Sequence, residues 1–187
     1  IAIDNAELHE RALRQRGVDR DLELAREVQL GFLPDGVPEV EGYGFFDYYA
    51  PANQVGGDYY DYLRLPDGRI SVIVADVVGK GVAAALLMAK LSAEARYCLA
   101  SGTDAGDAIT LLNERLCRLK LDRFVTAIIL ILDPATHEVS IANAGHMAPL
   151  HRDRKGNVIE QGQEEASIPL GIEQDRVYRQ AKILLEV

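Results

Sequence analysis

The sequence predicts an α+β fold built on antiparallel strands. Two observations predict it. Helical and strand-like stretches are segregated along the chain, in the order helix, three strands, two helices, then several strands, instead of alternating one for one. Neighbouring strand-like runs are joined by hairpin-type turns at Pro66-Asp67-Gly68-Arg69, Asp133-Pro134-Ala135-Thr136 and Lys155-Gly156-Asn157. This order argues against a doubly wound parallel sheet.

Each element follows from local pattern. Residues 4 to about 33 hold no proline and are rich in Leu, Ala, Glu and Arg, which predicts a helix. Leu8, Leu13, Val18, Leu22, Ala25, Val28 and Phe32 recur at spacings near three and four. The helix is either a coiled-coil linker from an upstream module or an N-terminal helix packed on its own domain, and Gly17 predicts a break in it. Pro34-Asp35-Gly36 and Pro38 end it. Residues 45–50 are aromatic and β-prone, residues 59–65 alternate loosely, and residues 70–75 form a near-continuous apolar run of the kind buried on both faces. Residues 82–99 are Ala- and Leu-rich and helical, and Asp104 or Asp107 caps a second helix to about residue 119. Residues 125–132 and 137–143 pair across the turn at Pro134, and short strands follow near Leu150, Val158 and 177–185.

Composition narrows the function classes. The 187 residues suffice for one ordinary domain, with 48% apolar residues for its core. A net charge of −9 and a pI of 4.9 argue against nucleic-acid or anionic-membrane surfaces. No apolar run approaches the roughly 20 residues of a membrane span. The first residues do not form a signal peptide and do not begin with Met, so the chain reads as a fragment, cytoplasmic by default. Cys98 and Cys117 lie in apolar helical stretches and read as small buried hydrophobes of a reducing compartment.

Two aspartates stand where chemistry can be held. Asp58 follows Gly56-Gly57 at the entry of one strand, and Asp76 ends the next. From Asp58 to Pro66 is eight residues and from Arg69 to Asp76 is seven, so a hairpin turning between them has nearly equal arms. The two carboxylates then meet at its open end, where oxygen ligands suit hard cations such as Mg²⁺ or Mn²⁺. The other reading is that both are turn residues or caps. The Gly79-Lys80-Gly81 turn lacks the GxxxxGK[ST] pattern of a phosphate loop, so nucleotide binding is a weak reading.

Four motifs in order resemble the bacterial PPM (PP2C-like) phosphatases of the SpoIIE/RsbU type. They are Gly56-Gly57-Asp58-Tyr59-Tyr60-Asp61, Ala75-Asp76-Val77-Val78-Gly79-Lys80-Gly81, Asn143-Ala144-Gly145-His146-Met147-Ala148-Pro149 and Ile168-Pro169-Leu170-Gly171. Ala25-Arg26-Glu27-Val28-Gln29 with Leu33-Pro34 resembles the family's linker helix and its ending. The resemblance implies an αββα sandwich of two antiparallel sheets flanked by helices, with two Mn²⁺ or Mg²⁺ ions that activate water. On that pattern Asp76 bridges both ions, the Val77 carbonyl binds the second, and Asp58 supports the site directly or through water. The implied substrate is a phosphorylated anti-sigma-factor antagonist (STAS-type) protein. The expected context is an upstream sensor domain in the parent chain, and the apolar spacing of the leading helix from Leu8 to Phe32 hints at a homodimer.

The helices 82–99 and 104–119 match the family's regulatory switch region and equally read as core packing. Lys80 stands where many members have His. The family's Tyr-Thr-Asp-Gly-type segment, whose Asp is a further ligand, does not occur up to Val187. Residues 1–33 thus read as a linker helix and 34–187 as a phosphatase domain lacking its C-terminal segment, inactive or weakly active alone. The alternative is a non-catalytic PP2C-like binding or dimerisation module. His146 reads as hydrogen-bonding a turn, or as positioning phosphate or water.

Overall fold

In a computed structural model, residues 2–51, 53–120 and 122–186 are described, with side chains from residue 9 onward. The side chain of Leu8, the first residue of the helical pattern, lies outside the described residues. Helix α1, Ala2–Leu30, runs unbroken through Gly17, contrary to the expected break. Nothing lies within 4 Å of where a Gly17 Cβ would stand, so glycine there costs only intrinsic propensity, about 1 kcal/mol against alanine. The hydrogen-bond ladder continues past it.

Strands β1 (Asp58–Arg64) and β2 (Ile70–Val77) form a hairpin, followed by helices α2 (Val82–Ser101) and α3 (Ala105–Cys117). Then come β3 (Val125–Asp133), β4 (Glu138–Ala144), β5 (Leu150–Arg152), β6 (Val158–Glu160) and β7 (Gln180–Leu184). The main sheet has the order β1-β2-β3-β4-β7, and β5 pairs with β6 in a second sheet. Every ladder is antiparallel. This is the expected α+β class, with antiparallel sheets and helices.

The two helices cover one face of the main sheet. Ile73, Ala75 and Val77 of β2 and Ile129 of β3 meet Leu91 of α2 and Ile109 of α3 in a fully buried core. Helix α3 begins at Asp104, whose carboxylate accepts from the Asp107 N–H at 2.9 Å, which decides between the two candidate caps. Glu94, buried between the helices, accepts from both Lys90 and Arg115. Under α2, the buried Asp61 of β1 accepts from Arg96 Nε at 2.6 Å and from the Tyr59 hydroxyl at 2.8 Å.

The opposite face is only partly covered. Ile70, Ile128, Leu132, Val139 and Ile141 cluster there under Val40, Tyr43 and Phe45. Residues 45–50, expected as a strand, carry no ladder. Their rings pack on β1 instead, Phe45 against Tyr62 at 5.8 Å and Tyr49 against Tyr60 at 6.1 Å. The expectation that residues 70–75 are buried on both faces also fails, since Val74 is 38% exposed. The uniform hydrophobicity of that run hid which side faces the helices.

Candidate metal centre

The hairpin register brings the two aspartates together. At its turn the Leu65 N–H donates to Arg69 O at 2.8 Å, and Asp67 accepts from the Arg69 backbone and guanidinium. From there the pairing runs Arg64↔Ile70 through Tyr60↔Val74 to Asp58↔Asp76. Directly opposed residues share a face, and a one-residue slip would send one carboxylate to the helix side. The shared face is the open one, away from α2 and α3.

Gly57 packs against the same point. A Cβ there would stand 2.7 Å from the Val77 carbonyl oxygen and 3.3 Å from Asp76 Oδ1. Glycine therefore lets the β1 backbone close on the two groups that the hairpin end presents. The Val77 N–H also donates to Gly57 O at 3.3 Å.

The row continues across the sheet. Thr126 of β3 is the partner of Asp76, and its hydroxyl hydrogen-bonds His146 Nδ1 at 2.9 Å. The buried Asn143 holds the His146 backbone at both ends, accepting from its N–H at 2.8 Å and donating to its carbonyl at 3.0 Å. Gly145 has φ 69 and lies against Pro169, where a Cβ would come within 2.7 Å of the ring. His146 thus has both roles of the sequence reading available: its backbone closes a turn, and its ring faces the carboxylate row.

The charges of the row perturb one another. Partial desolvation and the charge of Asp58 hold the Asp76 carboxyl above its usual range, with His146 pulling it back. Burial pushes the His146 imidazole below its ordinary value, opposed by the two aspartates. Beside Asp58, the Tyr49 hydroxyl is buried with no hydrogen-bond partner among the described residues. Two directly opposed carboxylates and a nearby backbone carbonyl are oxygen donors of the kind that suits a hard divalent cation. Among the described residues no group of three or more His, Cys, Asp or Glu side chains gathers to hold a metal, so the protein side chains alone fall short of octahedral ligation.

Asp58, Asp76 and Val77, singled out in the sequence, therefore come to one hairpin end. Thr126, Asn143 and Tyr49 were not singled out as site residues. Thr126 is legible only through the β2–β3 register, and the Asn143 role only once the turn is seen. Lys80 is exposed in the turn that follows β2.

Comparison with solved structures identifies the class of fold: that of PP2C-like domains. The fold superposes on the SiaA-PP2C domain of Pseudomonas aeruginosa with a TM-score of 0.76 at 21% identity, covering 92% of this chain and 69% of that one. It superposes on a structure of the RsbU and RsbW domains of a Mycobacterium tuberculosis protein with a TM-score of 0.64 at 27% identity, covering 74% and 38%. The chain belongs to the SpoIIE family, since residues 66–187 match the model of stage II sporulation protein E. It is 29% identical over 168 residues to phosphoserine phosphatase RsbU of Bacillus subtilis, covering 89% of this chain and 49% of that protein. It is 28% identical over 170 residues to phosphoserine phosphatase RsbP of the same organism, covering 88% and 41%. The chain spans about half the length of these relatives, or less.

Proposed function

We propose that the chain carries the catalytic domain of a metal-dependent protein serine/threonine phosphatase. In this reading Asp58, Asp76 and the Val77 carbonyl hold two Mn²⁺ or Mg²⁺ ions. The observation that carries it is the direct cross-strand pairing of Asp58 with Asp76. The ions, when bound, supply Lewis-acid activation of water and neutralise phosphate charge. The chain's own residues do the rest. Asp76 is aimed by a strand whose other face is locked into the core, and Asp58 by the hairpin register. His146, kept neutral by burial and tied to Thr126, borders the site as an uncharged hydrogen-bonding group.

The similarity to the phosphoserine phosphatases RsbU and RsbP supports a phosphoserine substrate, and the motif resemblance extends this to phosphoserine or phosphothreonine on an anti-sigma-factor antagonist (STAS-type) protein. Residues 1–33 act as a linker from an upstream sensor domain, and 34–187 as the phosphatase domain. Exposed apolar residues of α1, Leu13, Val18 and Val28, support a coiled-coil homodimer. The protein works in the cytoplasm without nucleic-acid or membrane partners. Its acidic charge supports the absence of nucleic-acid partners, and among the described residues no helix is long and apolar enough to cross a membrane.

The test is phosphate release from a phosphoserine antagonist protein by the full-length gene product, with Mn²⁺ or with chelator. Asp76→Asn is expected to abolish Mn²⁺-dependent release while the protein stays folded, and full activity in that variant would sink the metal assignment. The second reading, a non-catalytic binding or dimerisation module, is favoured by the short protein ligand set. A folded protein that releases no phosphate with any divalent cation would establish it.

A further inference from the structure

The proposed carbonyl ligand sits where the support of the hairpin runs out. Val77 is the last residue of β2, and its partner across the ladder is Val125. One residue on, the Val78 N–H donates to Phe124 O at 3.1 Å, and the strand pairing goes no further. Gly79 and Gly81 follow with φ 109 and φ 71, and α2 starts at Gly81 without a side-chain cap. Glycines at both positions give this turn a wide choice of backbone conformations and no side chains to anchor it.

The turn is held from outside, by the segment that enters β3. Arg123 is half-buried, and its Nη1 donates to Val78 O at 3.0 Å. Among the described residues this is the one side-chain hydrogen bond that reaches residues 77–81. The guanidinium fills the space that a side chain at residue 79 would need, since a Cβ there would collide with Nη1. Glycine at 79 therefore serves twice: it adopts the positive φ and it makes room for Arg123.

Arg123 is braced in turn by the Ile168-Pro169-Leu170-Gly171 motif, which lies outside the carboxylate row. The fully buried Leu170 exchanges two backbone hydrogen bonds with Val125, at 2.8 and 3.0 Å. Gly171 has φ 87, and a Cβ there would stand 3.3 Å from the Arg123 carbonyl oxygen. The backbone that carries the guanidinium is thus fixed on both sides, by the ladder to β2 and by this motif.

We propose that Arg123 is a positioning residue that sets the Val77 carbonyl through Val78 and Gly79, so that divalent-cation affinity depends on its hydrogen bond to Val78 O. This rests on the metal reading of Asp58, Asp76 and Val77. A carbonyl at the end of a ladder can turn with its peptide plane, and a charge-assisted hydrogen bond to the next carbonyl limits that freedom. Groups that orient metal ligands from outside typically set affinity by about 10–100-fold. Coupling is reciprocal: if the hydrogen bond tightens the cation, the cation tightens the hydrogen bond by the same factor.

The variant is Arg123→Met, which keeps an aliphatic stem and loses the donor. The probe is Mn²⁺ alone, titrated calorimetrically into the full-length gene product. The expected result is a Kd raised about tenfold or more. Saturating Mn²⁺ should slow amide exchange at Val78 and Gly79 in the wild type, and slow it less in Arg123→Met. A purely structural role would lower the melting temperature of the metal-free variant and leave its Kd where it was. A Kd within about twofold of wild type in the folded variant, far below the expected range, overturns the proposal alone. Exchange at Val78 and Gly79 that ignores Mn²⁺ in a wild type that binds it does the same. A wild type that binds no Mn²⁺ overturns the metal reading and this inference with it. Should Arg123→Met fail to fold, Gly79→Ala, whose methyl displaces the guanidinium, carries the same test with the same outcomes.

Discussion

The two faces of the main sheet are built to different ends. The face toward α2 and α3 is sealed: Ile73, Ile129, Leu91 and Ile109 are fully buried, and its charged groups Asp61 and Glu94 are paired. The face at the far end of β1 and β2 is open, and it holds two like charges side by side with an unpartnered hydroxyl nearby. The same strands supply both, because alternate residues point to opposite faces. Stability is concentrated on one side, and polar groups that folding alone does not require are concentrated on the other.

The comparison breaks if the sealed face proves soft. Ile129→Ala, in the central strand, is expected to cost about 2–5 kcal/mol in denaturant unfolding. A loss well under 1 kcal/mol would mean the core is not where stability lies. Gly57→Ala probes the join between the faces, since its Cβ would press on the Val77 carbonyl. The expected cost is about 1–3 kcal/mol, with weakened Mn²⁺ binding measured in the same protein. A thermal melt and a cation titration that both match wild type would remove Gly57 from the site.

Acid titration sharpens the picture on the sealed side. Hydrogen bonds from Arg115 and then Lys90 hold the Glu94 carboxyl below its ordinary value. A depressed folded-state pKa gives stability that is present above the unfolded value of about 4.5 and is lost as pH falls through the lower folded value. Glu94→Gln is therefore expected to cost about 1–2 kcal/mol at neutral pH and to flatten the decline in melting temperature below about pH 4.5. The smallest effect has the opposite sign. Without metal, Asp76→Asn relieves repulsion with Asp58 and should stabilise the fold by about 0.2–1 kcal/mol. Destabilisation there would show that the carboxylate pair serves the fold.

Much of this was legible in the sequence because hairpins obey simple arithmetic. The turn at Pro66-Asp67-Gly68-Arg69 and nearly equal arms place Asp58 opposite Asp76 without any tertiary information, and the ladder does so in the structure. The helices 82–99 and 104–119 were legible from composition and an Asp cap. What was not legible depended on neighbours distant in the chain. The aromatic run 45–50 has strand propensity but packs its rings on β1, because propensity reports a preference for a pleated surface and not the presence of a partner. Gln29 is legible only as part of the stretch that resembles the linker helix, since nothing local shows that its carboxamide will meet the Gly56 backbone. Thr126 acquires its place only through its pairing with Asp76. Asp61, inside a motif that drew attention for Asp58, faces the other way and serves α2 through Arg96.

The position of Gln29 in its helix has a mechanical consequence. Helix α1 has 29 residues, and Gln29, whose carboxamide donates to Gly56 O at 2.7 Å and accepts from the Gly56 N–H at 3.0 Å, lies one residue from its end at Leu30. At 1.5 Å per residue nearly all of a length of about 40 Å lies on one side of the grip. Such a rod is a lever with a long arm outside and a very short arm within.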